Sequence, residues 1–265
     1  MKLAEMMDLS GQIAIITGGA GHIGRVISDA FLEVGCSVIL VDRDIELLEK
    51  YKKDKLSFKN KIYTVVCDFE KEGYEEVVYD FLHQHNFKLD ILVNNAAFVG
   101  DSNVKGWVDN FEKQSVETWR RALEVNLTSS FILTQKLVEL LVHNNNGRVI
   151  NVSSMYGSLG PYMKMYNDTK MGSPAAYSVS KGGMNQLTRW LSTTLAPNIR
   201  VNTISPGGIE RGQPEKFKEK YIERVPLGRL GNEQDLIGAV LFLGSDMSKY
   251  VTGQDIVVDG GYGII

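Results

Sequence analysis

Ile13-Ala14-Ile15-Ile16-Thr17-Gly18-Gly19-Ala20-Gly21-His22-Ile23-Gly24 begins as an apolar, largely β-branched run and passes into a string holding four glycines. A strand covered on both faces reads as a continuous apolar run of this kind. The glycines permit a tight turn and bring backbone N–H groups to the start of a helix, expected over 22–34. Strand, glycine-rich turn and helix in that order suit a dinucleotide, because free amides and the positive helix end attract its pyrophosphate. The expected contacts are Gly18, Gly19, Gly21, His22, Ile23 and Gly24.

Apolar runs of the same type recur at 37–41, 62–67, 89–94, 148–153, 199–204 and 255–258. Helical stretches are expected between them at 72–85, 115–143, 173–195 and 233–245, the second with a break near 126–129. Alternation of this sort predicts right-handed crossovers and a doubly wound α/β Rossmann fold, a seven-stranded parallel sheet with helices on both faces. No linker or repeat divides the chain, so residues 1–265 are expected to form one domain. Two looser stretches, 155–172 and 207–231, follow strand ends, where open α/β sheets place ligands.

A composition of 43% apolar and 23% charged residues over 265 positions suits a globular protein. No apolar run approaches the roughly 20 residues needed to cross a bilayer. Glu5 and Asp8 stand where a secretion signal would be apolar, which leaves a cytoplasmic location as the expectation. Cys36 and Cys67 lie beside or inside strand candidates and read as buried reduced thiols, and no metal site is visible. With a net charge of −3 and no long basic block, the chain shows no footprint for nucleic acid, so a small-molecule substrate is favoured.

Asp42 ends the second strand 18 residues beyond Gly24, where a carboxylate can accept from both adenosine ribose hydroxyls and repel a 2′-phosphate. NAD is therefore expected over NADP, although the guanidinium of Arg43 offers the opposite choice. Asp68 closes the third strand, at the adenine edge or simply in solvent. Tyr177 and Lys181 stand four apart early in a helix and share a face. A nearby ammonium favours phenolate and is expected to bring the tyrosine toward the working pH of a base.

With these residues in hand the chain resembles the short-chain dehydrogenases/reductases, of the compact single-domain kind, over almost its full length. The motifs run in order: the turn at 17–24, Asp68, Asn94-Asn95-Ala96-Ala97, Asn126, Ser154, Tyr177 with Lys181, Pro206-Gly207-Gly208, and Val251-Thr252-Gly253-Gln254 with Val258-Asp259-Gly260-Gly261. The resemblance implies an NAD(P)-dependent oxidoreductase moving a hydride to or from a secondary alcohol or ketone. It implies a catalytic tetrad. Tyr177 is the general acid/base and Ser154, with Ser153 as its rival, bonds the substrate oxygen. Lys181 holds the nicotinamide ribose and Asn126 anchors a proton-relaying water. It further implies cofactor contacts from Phe69, Asn95, Ala96, Ala97, Tyr177, Lys181, Pro206, Gly207 and the backbone N–H of Ile209, and a homotetramer, with a dimer left open.

Three departures bear on function. His22 stands where the compact subgroup usually has glycine, a spacing more common in nucleotide-sugar epimerases and dehydratases. An epimerase or dehydratase with tightly held NAD therefore stays open, as do a 3-oxoacyl-thioester reductase and a non-catalytic NAD sensor. Second, the step from Ser154 to Tyr177 is longer than the family habit and inserts Tyr162, Lys164, Tyr166, Asn167, Asp168 and Lys170 above the site. Such groups predict a hydrophilic substrate, a sugar, polyol or sugar acid. Third, the stretch after Pro206 lacks the threonine that often follows, leaving Gly208, Glu210, Arg211 and Gln213 as substrate candidates beside Ser154, Tyr162 and Tyr166. The insert and this stretch are similar to dehydrogenases of bacterial surface-sugar and flagellin-glycan synthesis, the nonulosonic acid pathways in particular.

Overall fold

The structure, a computed structural model, describes residues 2–99 and 104–265. Its elements run α1 Leu3–Met7, β1 Ile13–Thr17, α2 His22–Glu33, β2 Ser37–Asp42, α3 Ile45–Asp54, β3 Ile62–Val66, α4 Tyr74–Gln84 and β4 Ile91–Asn94. They continue α5 Val116–Leu123, α6 Ser129–Leu141, β5 Gly147–Val152, α7 Ala175–Thr194, β6 Ile199–Pro206, α8 Glu215–Ile222, α9 Ile237–Gly244 and β7 Asp255–Val258. The seven strands of the described residues join one parallel sheet in the order β3-β2-β1-β4-β5-β6-β7. The order reverses between β1 and β4, and a crevice opens at that switch beyond the carboxyl ends of the strands.

Period-2 alternation divides β1 between two cores. Ile15 faces the side covered by α4 to α7, with Val78, Leu137 and Leu191. Ala14 and Ile16 face the side covered by α2, α3 and α9, with Phe31, Leu48 and Leu243. This is the doubly wound Rossmann arrangement read from the alternation. Cys36 and Cys67 are buried free thiols, both pushed up by burial, to about 12 and about 11.

The break expected near 126–129 is present, and other segments differ from the sequence reading. The long helix expected over 115–143 is two helices joined by a π-helical stretch, Glu124–Thr128, which holds Asn126. Helix α3 was not expected: only Leu48 and Tyr51 are buried, and lysines and glutamates mask the period, but the Asp44 carboxylate caps it by accepting the Leu47 N–H at 3.0 Å. The insertion at 155–172 is not a purely polar loop. Met155 and Met165 pack with Phe217, Tyr221, Val225, Leu230 and Tyr262 into a third apolar cluster, and part of the other looser stretch, 207–231, forms α8, burying Phe217 and Tyr221 one turn apart.

Candidate active site

A cleft of about 560 Å³ lies over the switch point, lined by the glycine turn, the ends of β2 and β3, Asn95 to Val99 and Arg211. Gly18 has φ +61°, and a Cβ there would sit 2.9 Å from the Ala96 Cα. At Gly24 a Cβ would run into the Gly18 carbonyl, so the first turn of α2 can close onto the strand only as glycine. Asn95 clamps the turn: its Nδ2 donates to the carbonyls of Thr17 at 2.8 Å and Gly18 at 3.1 Å. The Thr17 hydroxyl accepts the N–H groups of Asn95 and Ala96, each at 3.0 Å.

No side chain caps α2 and its first turn holds no acid, so its amides and positive end are open to an anion at the cleft wall. The residues therefore fit a dinucleotide, whose pyrophosphate Gly21 to Gly24 would hold. Asp42 uses one oxygen to accept the Ala20 N–H at 3.0 Å and the other for Asp44 N–H at 3.1 Å. Each carboxylate oxygen keeps a further lone pair for a ribose hydroxyl.

Of the expected cofactor residues, Gly18, Gly21, His22, Ile23, Gly24, Asp42, Arg43, Asp68, Phe69, Asn95, Ala96 and Ala97 line this cleft. Gly19 is turned beneath the turn against Leu40. Pro206 ends β6, and the Gly207 N–H bonds Val258 in the β6–β7 ladder. Among the described residues the Ile209 N–H has no hydrogen-bond partner, leaving it free for a carboxamide oxygen.

Beyond β5 the tetrad residues gather. Ser154 is nearly buried; its hydroxyl accepts the Tyr156 N–H at 3.2 Å and draws the Tyr177 phenol downward. Ser153, its rival, donates instead to the Lys181 carbonyl at 3.0 Å and ties β5 to α7. Lys181 is 2% exposed; its Nζ donates to the Val152 carbonyl at 2.8 Å and lies 5.9 Å from the centre of the Tyr177 ring. Asn126 is wholly buried: its Oδ1 accepts the Phe98 N–H at 2.6 Å and its Nδ2 donates to the Ser180 hydroxyl at 3.0 Å. Its side chain thus locks the loop after β4 to α7 at Ser180, the residue before Lys181.

The electrostatics correct one expectation. Burial raises the Tyr177 phenol above its ordinary value; the Ser154 hydrogen bond and the Arg211 guanidinium pull it back. Burial also lowers Lys181 to about 8. Arg211, which the sequence offered only as a substrate contact, is thus a cation that favours the phenolate, and desolvation sets the net direction of the Tyr177 shift.

The substrate candidates are distributed unevenly. The Tyr166 hydroxyl pairs with that of Tyr156 at 2.9 Å, and burial raises the Tyr166 phenol above its ordinary value. Tyr162 is exposed beneath Arg224, 4.6 Å from its ring centre. Gly208 donates its N–H to the Tyr221 hydroxyl. Glu210 turns to Lys218 at 3.0 Å, and Gln213 holds its own loop, accepting from Arg211 N–H and donating to the Ile209 carbonyl. Sequence reasoning missed Glu70, Phe98 and Arg121, which line the cleft from a strand end, a loop and α5. Among the described residues no His, Cys, Asp and Glu cluster is placed to hold a metal, and no helix is long and apolar enough to cross a membrane.

A family model described as enoyl-(acyl carrier protein) reductase matches residues 18–263. The 3-oxoacyl-[acyl-carrier-protein] reductase FabG of Thermotoga maritima is 33% identical over 261 residues, covering 96% of this chain and 99% of the relative. Post-translational flagellin modification protein A of Campylobacter coli is 31% identical over 267 residues, 97% of this chain and 100% of the relative. A crystal structure of a short-chain dehydrogenase from Leptospira borgpetersenii with bound NAD+ superposes with a TM-score of 0.84 at 31% identity, covering 100% of this chain and 96% of that one. With the glycine turn, the cleft and the Ser154, Tyr177 and Lys181 group in place, the chain belongs to the short-chain dehydrogenase/reductase family, oxidoreductases acting on CH–OH or keto groups.

Proposed function

We propose that this protein is an NAD-preferring dehydrogenase or reductase for a secondary alcohol or ketone on a polar substrate: a sugar, polyol or sugar acid. The observation that carries the polar reading is the hydroxyl pair of Tyr156 and Tyr166, which the insertion brings together at 2.9 Å beyond the end of β5. Beyond the bond between them the two hydroxyls keep one donor proton and further lone pairs for a hydroxylated substrate. A relative concerned with flagellin modification is consistent with this reading.

Bound nicotinamide would accept or deliver the hydride. Tyr177 takes the carbinol proton, or returns it to the ketone oxygen. Ser154 donates a hydrogen bond to that oxygen, and Lys181 turns from Val152 to a ribose hydroxyl. Asn126 fixes the loop and π-helical stretch that carry the proton-relay water. The free Ile209 N–H and Pro206–Gly207 hold the carboxamide end, while Asp42 reads the ribose. Exposed Phe131 on α6 and Val179 and Trp190 on α7 supply apolar surface that a homotetramer would cover. The location is the cytoplasm.

A second reading, 3-oxoacyl-thioester reduction, is favoured by the Thermotoga relative and by the apolar wall of Met155, Phe217 and Tyr262. Turnover followed by NADH absorbance against polyols, sugar acids and 3-oxoacyl thioesters separates the two. The proposal expects kcat/KM to be highest on a hydroxylated compound; activity confined to the thioesters replaces it with the second reading.

A further inference from the structure

Glu70, two residues beyond Asp68, is held by two guanidinium groups at once. Arg121 grips it as a fork, Nε at 2.6 Å from one oxygen and Nη2 at 3.2 Å from the other. Arg43 reaches it from the end of β2, Nη1 at 3.5 Å. The receptor is built from both sides: Asp68 accepts the Glu70 N–H at 3.1 Å, and the Phe98 ring lies 4.7 Å below the Arg121 guanidinium. All five residues line the dinucleotide cleft.

Arg43 follows Asp42 directly, so the cation best placed to take a 2′-phosphate is the immediate neighbour of the ribose-reading carboxylate. Its side chain is 66% exposed and its bond to Glu70 is long, so charge, more than fit, draws it across the cleft. Asp42, Asp68 and Glu70 outnumber Arg43 and Arg121 at this end, which leaves a negative field against a phosphate dianion. We infer that Glu70 is a positioning residue for cofactor choice: it tethers Arg43 toward the end of β3 and so denies a 2′-phosphate its guanidinium. The inference rests on the reading of Asp42 as the group that selects NAD.

Calorimetric titration of the full chain with NAD and with NADP tests it. Glu70→Gln keeps the shape of the side chain, removes its charge and frees Arg43. The ratio of NADP to NAD dissociation constants should fall roughly tenfold, the scale of one charge-assisted Arg–phosphate contact. The double variant Arg43→Ala with Glu70→Gln should lose that gain. Arg121→Gln leaves Glu70 wholly to Arg43 and should raise the ratio; a fall would overturn the inference even if Glu70→Gln proved unfolded. A folded Glu70→Gln protein with an unmoved ratio, or a gain that survives loss of Arg43, also overturns it while leaving the NAD reading intact. A wild type that favours NADP overturns both.

Discussion

Lys181→Met should give a protein that turns over no substrate yet is more stable than the wild type at pH 7. Lys181 is 2% exposed, meets one hydrogen-bond acceptor, the Val152 carbonyl at 2.8 Å, and is lowered by burial from 10.5 to about 8. At about 1.4 kcal/mol per pKa unit, protonated Lys181 costs the fold about 3 kcal/mol below pH 8. Loss of the bond to Val152 offsets about 1 kcal/mol of the gain from removing the ammonium.

The sign in pH follows from proton counting. Between pH 8 and pH 10.5 the unfolded chain keeps the lysine proton that the folded chain has released, so wild-type stability rises through that window. Urea denaturation of both proteins at pH 7 and pH 10 isolates this effect, since titrations common to both cancel. The advantage of Lys181→Met should shrink by about 2–3 kcal/mol across that interval. A difference that stays flat with pH would mean that the folded lysine keeps an ordinary affinity for its proton, and the desolvation argument would be wrong.

Arg211→Gln removes a cation that favours the Tyr177 phenolate, so the pH of half-maximal alcohol oxidation should rise; a fall in the kcat profile would contradict the assigned field. Gly24→Ala drives a methyl group into the Gly18 carbonyl and should cost about 1–3 kcal/mol by urea midpoint, with NAD binding weakened in calorimetry. Wild-type values for both would show that the turn has room. Asp42→Ala should erode the preference for NAD over NADP, and an unchanged ratio would show that another group reads the ribose.

The sheet was legible because its strands are covered on both faces and read as apolar runs, IAIIT, SVILV and ILVN among them. The break in the long helix was legible too, since Asn126 competes for backbone bonds, and its side chain indeed leaves the helix for Phe98 and Ser180. Helices α3 and α8 were harder. Each buries two side chains among lysines and glutamates, so the apolar period is faint, although Asp44 carried a cap signal before the first of them.

The cleft residues that escaped, Glu70 and Arg121, lie 51 positions apart and act through a contact that only the fold creates. The net direction of the Tyr177 shift escaped for a related reason. The four-residue spacing of Tyr177 and Lys181 suggests a Coulombic pair, but whether attraction or desolvation wins depends on how deeply both are buried, and here desolvation leads. The insertion read as polar because most of its exposed side chains are polar; Met165, fully buried beneath, is an anchor whose depth only the fold reveals.

The most direct test compares wild type and Tyr177→Phe on whichever compound the wild type turns over best, with NADH absorbance for chemistry and calorimetry for NAD binding. Loss of the phenolic hydroxyl should cut kcat by roughly 10²–10⁴ while the NAD dissociation constant moves little. Turnover near the wild-type rate in the phenylalanine variant would mean that the proton of the reaction travels through some other group.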